Sequence, residues 1–314
     1  MVQIIHSVLE QKKKMKTLFK TLSVKQNFLG IEKEYSEFDN SNIIVLPCPY
    51  EATVSYGGGT KNGPKSILDA SHYVEFYDEE LDREIYKKSG ICTLAPIVFG
   101  NKKNKFALKL IYENSKKIIS TNKFLLTLGG EHTISQALIK SHLEKFPNLS
   151  VLQFDAHSDL RMSYHNNKYS HASVMARVCE FLAPNKLFQV GIRAQSIEES
   201  FFIKENNVNT YYAHQIRNWK NKKLWQEEIV ENLSDEVYIS FDVDGFDPSI
   251  MPATGTPEPN GLMWQEVVDL LWLVGKKRKI VGADVVEFSP IKSLHYPNET
   301  AAKLVYKILN AVFL

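Results

Sequence analysis

The stretch Asp155-Ala156-His157-Ser158-Asp159 sets an acid, an imidazole and a second acid at alternate positions, directly after the run Val151-Leu152-Gln153-Phe154. On an extended backbone that spacing aims all three at one face. A bend where the strand ends lets them surround one point. Two carboxylates and an imidazole on one side are costly to desolvate unless positive charge sits among them. A divalent metal ion is the simplest source of that charge. A solvated polar strand edge also accommodates the triplet, so the triplet alone does not decide between the two.

Three other strand ends carry the same kinds of group. Gly129-Gly130-Glu131-His132 follows the apolar run Phe124–Leu128. Asp242-Val243-Asp244-Gly245-Phe246-Asp247-Pro248 follows Val237–Phe241, and the run after that closes on Asp284-Val285-Val286-Glu287. In a parallel sheet every carboxyl end lies on one edge, where ligands bind. His132, Asp155, His157, Asp159, Asp242 and Asp244 then supply four carboxylates and two imidazoles to one region. That is more negative charge than one divalent ion balances, whereas two ions with bridging carboxylates match it. Oxygen-rich ligation without thiolates favours Mn²⁺ ahead of Zn²⁺. Two ions sharing one water lower its pKa toward neutrality, which makes hydroxide available without a strong protein base.

The elements that must position these groups alternate along the chain. Strands are expected at 43–47, 124–128, 151–155, 187–191, near Tyr211, 237–241 and 280–286. Helices are expected at 104–119, 133–145, 171–182, 197–205, 222–233, 264–276 and 300–312, and Pro64 suits the first turn of another. This order predicts a mostly parallel sheet with helices on both faces. Gly57-Gly58-Gly59 lacks the spacing of a phosphate-binding loop and reads as a mobile loop or tight turn.

Composition narrows the class. The chain has 314 residues and a net charge of +2, with no linker, repeat or biased segment to divide it. It carries no field that would attract nucleic acid, and no apolar run near the ~20 residues of a membrane span. Cys48, Cys92 and Cys179 are far apart and odd in number, which suits buried thiols in a reducing cytoplasm. Residues 1–26 read as an N-terminal extension of helical character. Its cluster Lys12, Lys13, Lys14 and Lys16 fits a solvated helix face, and Glu10 counts against a mitochondrial presequence.

The motifs GGEH, FDAHSD and SFDVDGFDP resemble those of the ureohydrolase family of arginase, agmatinase and their relatives. PYEATVSYGGGT, SHASVMARV, PATGTPEPNGL and DVVEFSP extend the likeness from about Asn27 to the C-terminus, to agmatinase in particular. The resemblance implies a three-layer α/β/α arginase-like fold over residues 27–314 and two Mn²⁺ ions per chain. One ion would take His132, Asp155, Asp159 and Asp242, and the other Asp155, His157, Asp242 and Asp244. It implies cleavage of a guanidino compound to urea and an amine, with agmatine and putrescine as the first choice. Glu287 matches the family's guanidinium-binding carboxylate, a sensible partner for a planar cation. His171 matches the histidine proposed to move protons. A trimer or hexamer follows by the same analogy.

Alternatives remain at this stage. Leu160-Arg161-Met162-Ser163-Tyr164 departs from the Asn- and Ser-bearing stretch with which arginases hold an amino acid. Arg161 nevertheless keeps arginine or guanidinobutyrate open. A formiminoglutamase-like amidohydrolase and a scaffold without turnover are the other readings. Asp247 is expected to orient a metal ligand through hydrogen bonds. Thr254 and Thr256 are balanced between turn structure and substrate contact, and His165 reads as surface.

Overall fold

The computed structural model describes residues 19–314. Eight strands form one sheet: β1 (Ile43–Cys48), β2 (Ile91–Thr93), β3 (Phe124–Gly129), β4 (Ser150–Phe154), β5 (Leu187–Ile192), β6 (Asn209–Tyr212), β7 (Glu236–Asp242) and β8 (Lys279–Val286). Their order is β2-β1-β3-β8-β7-β4-β5-β6, and every neighbouring pair runs parallel. The principal helices are α1 (Gly63–Ser71), α2 (Asn104–Ile119), α3 (Ser135–Leu143), α4 (Ile197–Asn206), α5 (Trp225–Asn232), α6 (Trp264–Lys277) and α7 (Tyr296–Val312).

Strand residues alternate between the two faces, and both faces are covered. Val45, Leu126, Leu152, Ile239 and Phe241 pack with Ile67 of α1, Ile229 of α5, Val268 of α6 and Leu304 of α7. Their neighbours Ile44, Leu125, Val151 and Tyr238 pack with Ile111 of α2, Leu138 of α3 and Ile203 of α4. Each such fully buried aliphatic or aromatic side chain contributes roughly 1.5–3 kcal/mol. Two covered faces explain why the strands are apolar runs rather than alternating ones. The result is the three-layer α/β/α arrangement expected from the sequence, with a wholly parallel sheet.

The topology fixes where a site can form. After β3 the chain leaves a gap of two strand positions before laying down β4, and β7 and β8 fill the gap later. The four central strands are therefore β3, β8, β7 and β4, and these four carry the acid- and histidine-bearing ends. A crevice outside the carboxyl ends at such a switch point is where ligands bind in open α/β sheets.

Local differences have physical reasons. The three-residue β2 was too short to show a period. The helix expected at 171–182 is a single 3₁₀ turn, His171–Ser173, followed by Val174–Val178. Ser173 has φ −125°, so the run cannot be one helix. The helix expected at 222–233 is Trp225–Asn232, and an unforeseen helical turn covers Ala213–Arg217. Most of the N-terminal extension, including Lys12, Lys13, Lys14 and Lys16, lies outside the described residues. Over 19–26 the chain runs beside β2, where the Leu22 amide donates to the Thr93 carbonyl at 2.9 Å and Phe19 stacks on Phe38. No helix among the described residues is long and apolar enough to cross a membrane.

Candidate metal centre

Seven of the eight site residues expected from the sequence meet at the carboxyl edge of the four central strands, and His171 faces them across a pocket. β3 leads into His132, β8 into Glu287, β7 ends on Asp242 with Asp244 just beyond, and β4 leads into Asp155, His157 and Asp159. Two glycines permit the approach. A Cβ on Gly130 would fall 2.0 Å from the Tyr50 carbonyl oxygen, and one on Gly245 would fall 2.9 Å from the Asp155 amide nitrogen. Asp159 and Glu287 take left-handed backbone, at φ 54° and 59°. Such strain in non-glycine residues persists only where the surroundings impose it, and it clusters at functional sites.

Two donor sets share one carboxylate. His132, Asp155 and Asp242 offer ligand atoms within 4.8 Å of one another, and so do Asp155, His157 and Asp244. His132 Nδ1 lies 3.1 Å from Asp155, 3.0 Å from Asp159 and 3.5 Å from Asp242. His157 Nδ1 lies 3.0 Å from Asp244 and 3.7 Å from Asp155. Further bonds hold the carboxylates in place. Asp155 accepts from Gln153 Nε2 at 2.7 Å and the His157 amide at 2.6 Å. Asp244 accepts from the Ala156 amide at 2.9 Å, and Asp242 from the Asp244 amide at 2.9 Å.

The chemistry of His132 tests whether this set suits a cation. Its Nε2 lies 3.0 Å from the Ser240 hydroxyl, which donates to Asp284 at 3.0 Å. Tyr238 donates to the other Asp284 oxygen at 2.7 Å. Ser240 has spent its proton on Asp284, so Nε2 must be the donor. In the neutral ring Nδ1 then carries a lone pair aimed at three carboxylates. That atom is fully buried and has no hydrogen bond. The arrangement is repulsive unless Nδ1 is protonated or a metal ion sits among the four groups. The donor set fits metal.

The electrostatics agree. Burial opposes charge on His132, but Asp155 and Asp159 outweigh it and raise its pKa well above the ordinary value. Burial likewise lowers His157, yet Asp244 and Asp155 bring it up to about 12. Burial, with Asp244 and Asp155 beside it, pushes Asp242 well above the carboxylate range. Burial and Asp155 raise Asp159 to about 7. Without cations the cluster keeps protons that metal would displace.

Glu287 is fixed by the His132 amide, which donates to its Oε1 at 2.6 Å. Burial first, and Glu131 and Asp244 among its neighbours, hold its pKa well above the usual range. His171 stands across a pocket of about 180 Å³ that is also lined by Glu287, His157, Asp242, Tyr56, Arg161 and Thr256. Burial, then His132 and His157, lowers its pKa to about 4, so it is neutral at pH 7.

The Arginase family model matches residues 41–311. This chain belongs to the arginase family. The N(1)-aminopropylagmatine ureohydrolase of Thermus thermophilus is 37% identical to it over 269 residues, spanning 86% of this chain and 89% of that one. The agmatinase of Bacillus cereus is 33% identical over 265 residues, spanning 82% and 87%. The crystal structure of the agmatine ureohydrolase of Thermoplasma volcanium superposes with a TM-score of 0.78 at 27% identity, covering 96% of this chain and 97% of that one.

Other expectations divide. Within this arginase-family site, Arg161 lines the pocket but its Nε lies 3.7 Å from Glu199, and its guanidinium sits over Tyr164. Thr256 lines the pocket, whereas Thr254 bridges to Phe288 behind it. His165 is exposed. Among the described residues Asp247 makes no hydrogen bond to a metal-donor side chain. It accepts from the Ser249 amide and hydroxyl and from the Gly261 amide at 3.0 Å, closing its own loop. Cys48 and Cys92 are buried and Cys179 is half-buried.

Several supporting residues escaped the sequence reading. Arg193 donates to the carbonyls of Asp244 at 2.6 Å, Phe246 at 3.1 Å and Glu258 at 2.9 Å, tying the Asp244 turn to the 258–259 loop. Glu199 caps α4 through Ser196 and also accepts from the Leu160 amide at 2.9 Å, which holds the segment after Asp159. Arg193 follows a strand end, a position that could have flagged it. Glu199 reads as an ordinary helix cap.

Proposed function

We propose that this protein is a dimanganese ureohydrolase that converts a guanidino compound and water to urea and an amine, with agmatine as substrate and putrescine as product. The two donor sets that share Asp155 carry the reading. His132, Asp155, Asp159 and Asp242 would hold one ion, and Asp155, His157, Asp242 and Asp244 the other. Two divalent ions in such a site supply a water activated at neutral pH and charge stabilisation for its attack.

The protein's own residues do the rest. Glu287, oriented by the His132 amide, faces a planar cation with a carboxylate and sets the guanidinium carbon over the donor sets. The carboxylates around the pocket favour a cationic over an anionic head group. His171, neutral and lining the same pocket, takes a proton at one ring nitrogen and returns it to the departing amine. The 27–314 segment serves as the catalytic unit, and we place the enzyme in the cytoplasm as a homo-oligomer acting in polyamine formation.

N(1)-aminopropylagmatine is a second substrate reading, because the Thermus relative at 37% identity carries that name. Urea release from the Mn²⁺-loaded protein should be measured over agmatine, N(1)-aminopropylagmatine, arginine and guanidinobutyrate, with metal content by mass spectrometry. The reading expects two ions per chain and the highest kcat/KM on agmatine. Preference for the aminopropyl compound selects the second substrate. One tightly held zinc, or urea from arginine alone, overturns the proposal.

A further inference from the structure

The segment Tyr50–Gly59 contains the nearer partner of each ring nitrogen of His171, with Ser170 Oγ farther off at 3.5 Å from Nδ1. Ser55 Oγ lies 2.7 Å from Nε2, and Thr53 Oγ1 lies 3.2 Å from Nδ1. Thr53 Oγ1 also accepts from the His171 backbone amide at 3.1 Å. Behind Thr53 stands Glu131, a fully buried carboxyl group. Its Oε2 accepts from the Ala52 amide at 2.5 Å and the Thr53 amide at 2.7 Å, while Oε1 faces the Thr53 hydroxyl at 2.8 Å. His171 therefore touches Glu131 only through Thr53.

The directions of these bonds follow from what each atom can do. A carboxylate only accepts. The Ala52 amide, the Thr53 amide and the Thr53 hydroxyl all donate to Glu131, which accepts all three. The Thr53 proton then belongs to Glu131, and the Thr53 oxygen can only accept from His171. It takes the backbone N–H and the ring Nδ1–H with its two lone pairs. A proton fixed on Nδ1 leaves Nε2 as the lone-pair nitrogen. That nitrogen faces Ser55, an exposed hydroxyl in the wall of the pocket. A histidine needs its acceptor nitrogen toward the substrate, and what fixes the tautomer is the bond made by the other nitrogen.

We propose that Glu131, acting through Thr53, sets the tautomer of His171, holding its proton on Nδ1 and turning Nε2 toward the pocket as the proton acceptor. Glu131 and Thr53 are positioning residues. They touch neither substrate nor ions, and they act only through the histidine. The inference rests on the proposed role of His171 in proton transfer, but its first test does not need turnover. The same logic gives the loop a purpose: its threonine and serine clasp one imidazole at both ends.

The ring nitrogens of ¹⁵N-labelled full-length protein, recorded without metal at pH 7.5 and assigned with His171→Gln, report the tautomer directly. The expected result is a protonated Nδ1 and an unprotonated Nε2 in the wild type, and a mixture in Thr53→Val. An Nε2-protonated His171 in the wild type overturns the proposal whether or not Thr53→Val folds. In the Mn²⁺-loaded enzyme, Thr53→Val should lower kcat about 10- to 100-fold, the range typical of removing an orienting partner. KM and bound metal should not change, and Thr53→Ser should restore the rate. A Thr53→Val enzyme with full kcat, or a Thr53→Ser enzyme as slow as Thr53→Val, also counts against it. If the wild type releases no urea from any guanidino compound, the functional reading fails while the tautomer result stands on its own.

Discussion

On α7, Lys307 is buried, and its ammonium group lies 3.1 Å from Asp78 and 2.9 Å from Glu80, over the Trp272 ring. Beyond the carboxyl end of β3, His132 is equally buried but faces three carboxylates with an atom that has no hydrogen bond. Both are clusters of charge inside the protein. The first contains its own cation, with two acids around one lysine and an aromatic face to complete the shell. The second has more acid than its imidazoles balance. The difference teaches how to separate a structural ion pair from a candidate metal centre: one holds a lysine cation among its acids, although Asp78 Oδ2 also lacks a hydrogen bond, and the other sets its acids around imidazoles alone.

The most direct way to break the comparison is to remove a carboxylate proposed to bridge the two ions. Asp242→Asn should lose metal together with rate. Without the ions, the pKa of the attacking water returns toward that of bulk water, so turnover should fall by about 10⁴-fold or more. Mass spectrometry of the dialysed variant and a urea assay check both halves. Two retained ions with full turnover would show that Asp242 is not a bridge. His171→Ala should come next, slowing turnover by about 10²–10⁴-fold. It should keep both ions, since His171 is not in either donor set, and lost metal in this variant would move it into the centre.

The lysine-bearing cluster should respond in the opposite way. Lys307→Met leaves Asp78 buried without its cation, and breaking a buried pair from one side costs about 3–5 kcal/mol. Urea or guanidinium unfolding of the variant reads that loss. Its metal content and its kcat per folded molecule should match the wild type. A variant as stable as the wild type would mean that the Lys307 cluster contributes little, and the contrast with the metal site would weaken.

How far this contrast could be read from the chain depends on whether its parts lie close in sequence. Asp155, His157 and Asp159 announce themselves by spacing, and β4, β7 and β8 by their apolar runs. The strand ends at Phe154, however, and Asp159 reaches the cluster through a left-handed turn that no spacing rule supplies. Glu131 could be seen only as part of a motif. Its function depends on Thr53, far upstream, which becomes a neighbour because β1 and β3 are adjacent in the sheet. The lysine on α7 was invisible for the same reason, since Asp78 and Glu80 lie in a loop before β2. His171 opens a stretch whose pattern predicts a helix over 171–182. The 3₁₀ turn that frees it arises where its backbone amide bonds to Thr53 rather than to a helical carbonyl.

The two clusters also predict different responses to pH. In the metal-free protein, burial opposes charge on His157, but Asp244 and Asp155 raise its pKa to about 12, and His132 is raised in the same sense. Burial and Asp155 raise Asp159 to about 7, and burial with neighbouring carboxylates raises Asp242 and Glu287 well above the usual carboxylate range. All five bind protons more tightly folded than unfolded, so their contribution declines as pH rises through their folded values. Two site residues behave otherwise. Asp155, where His132 and His157 outweigh burial, is held low, and its contribution is already in place above about pH 4. With His171 lowered to about 4, stability rises with pH from there to the ordinary histidine value of about 6.5 and does not change further above it. Above pH 6.5 the metal-free protein should therefore lose stability, and Mn²⁺ should restore it. The gain from metal is about 2.7 kcal/mol at 100 times its dissociation constant. Thermal unfolding with and without chelator should show a gap in Tm that widens from pH 6.5 to 8.5. A gap that narrows over that range contradicts the proton count.

The smallest expected effect bears on the substrate. Arg161 reaches the pocket wall but is tethered toward Glu199 and covered on one side by Tyr164, and its side chain remains 39% exposed. Solvent screens a charge in that position, and exposed pairs of this kind contribute about 0.2–1 kcal/mol. Arg161→Ala should therefore change KM by less than about tenfold. The sign is informative. A substrate with a cationic tail should bind somewhat better once the positive charge is gone, and guanidinobutyrate should bind worse. If KM for agmatine rises while that for guanidinobutyrate falls, Arg161 is not acting through charge. If both rise together, the side chain serves as a wall, and its contact with Tyr164 matters more than its guanidinium.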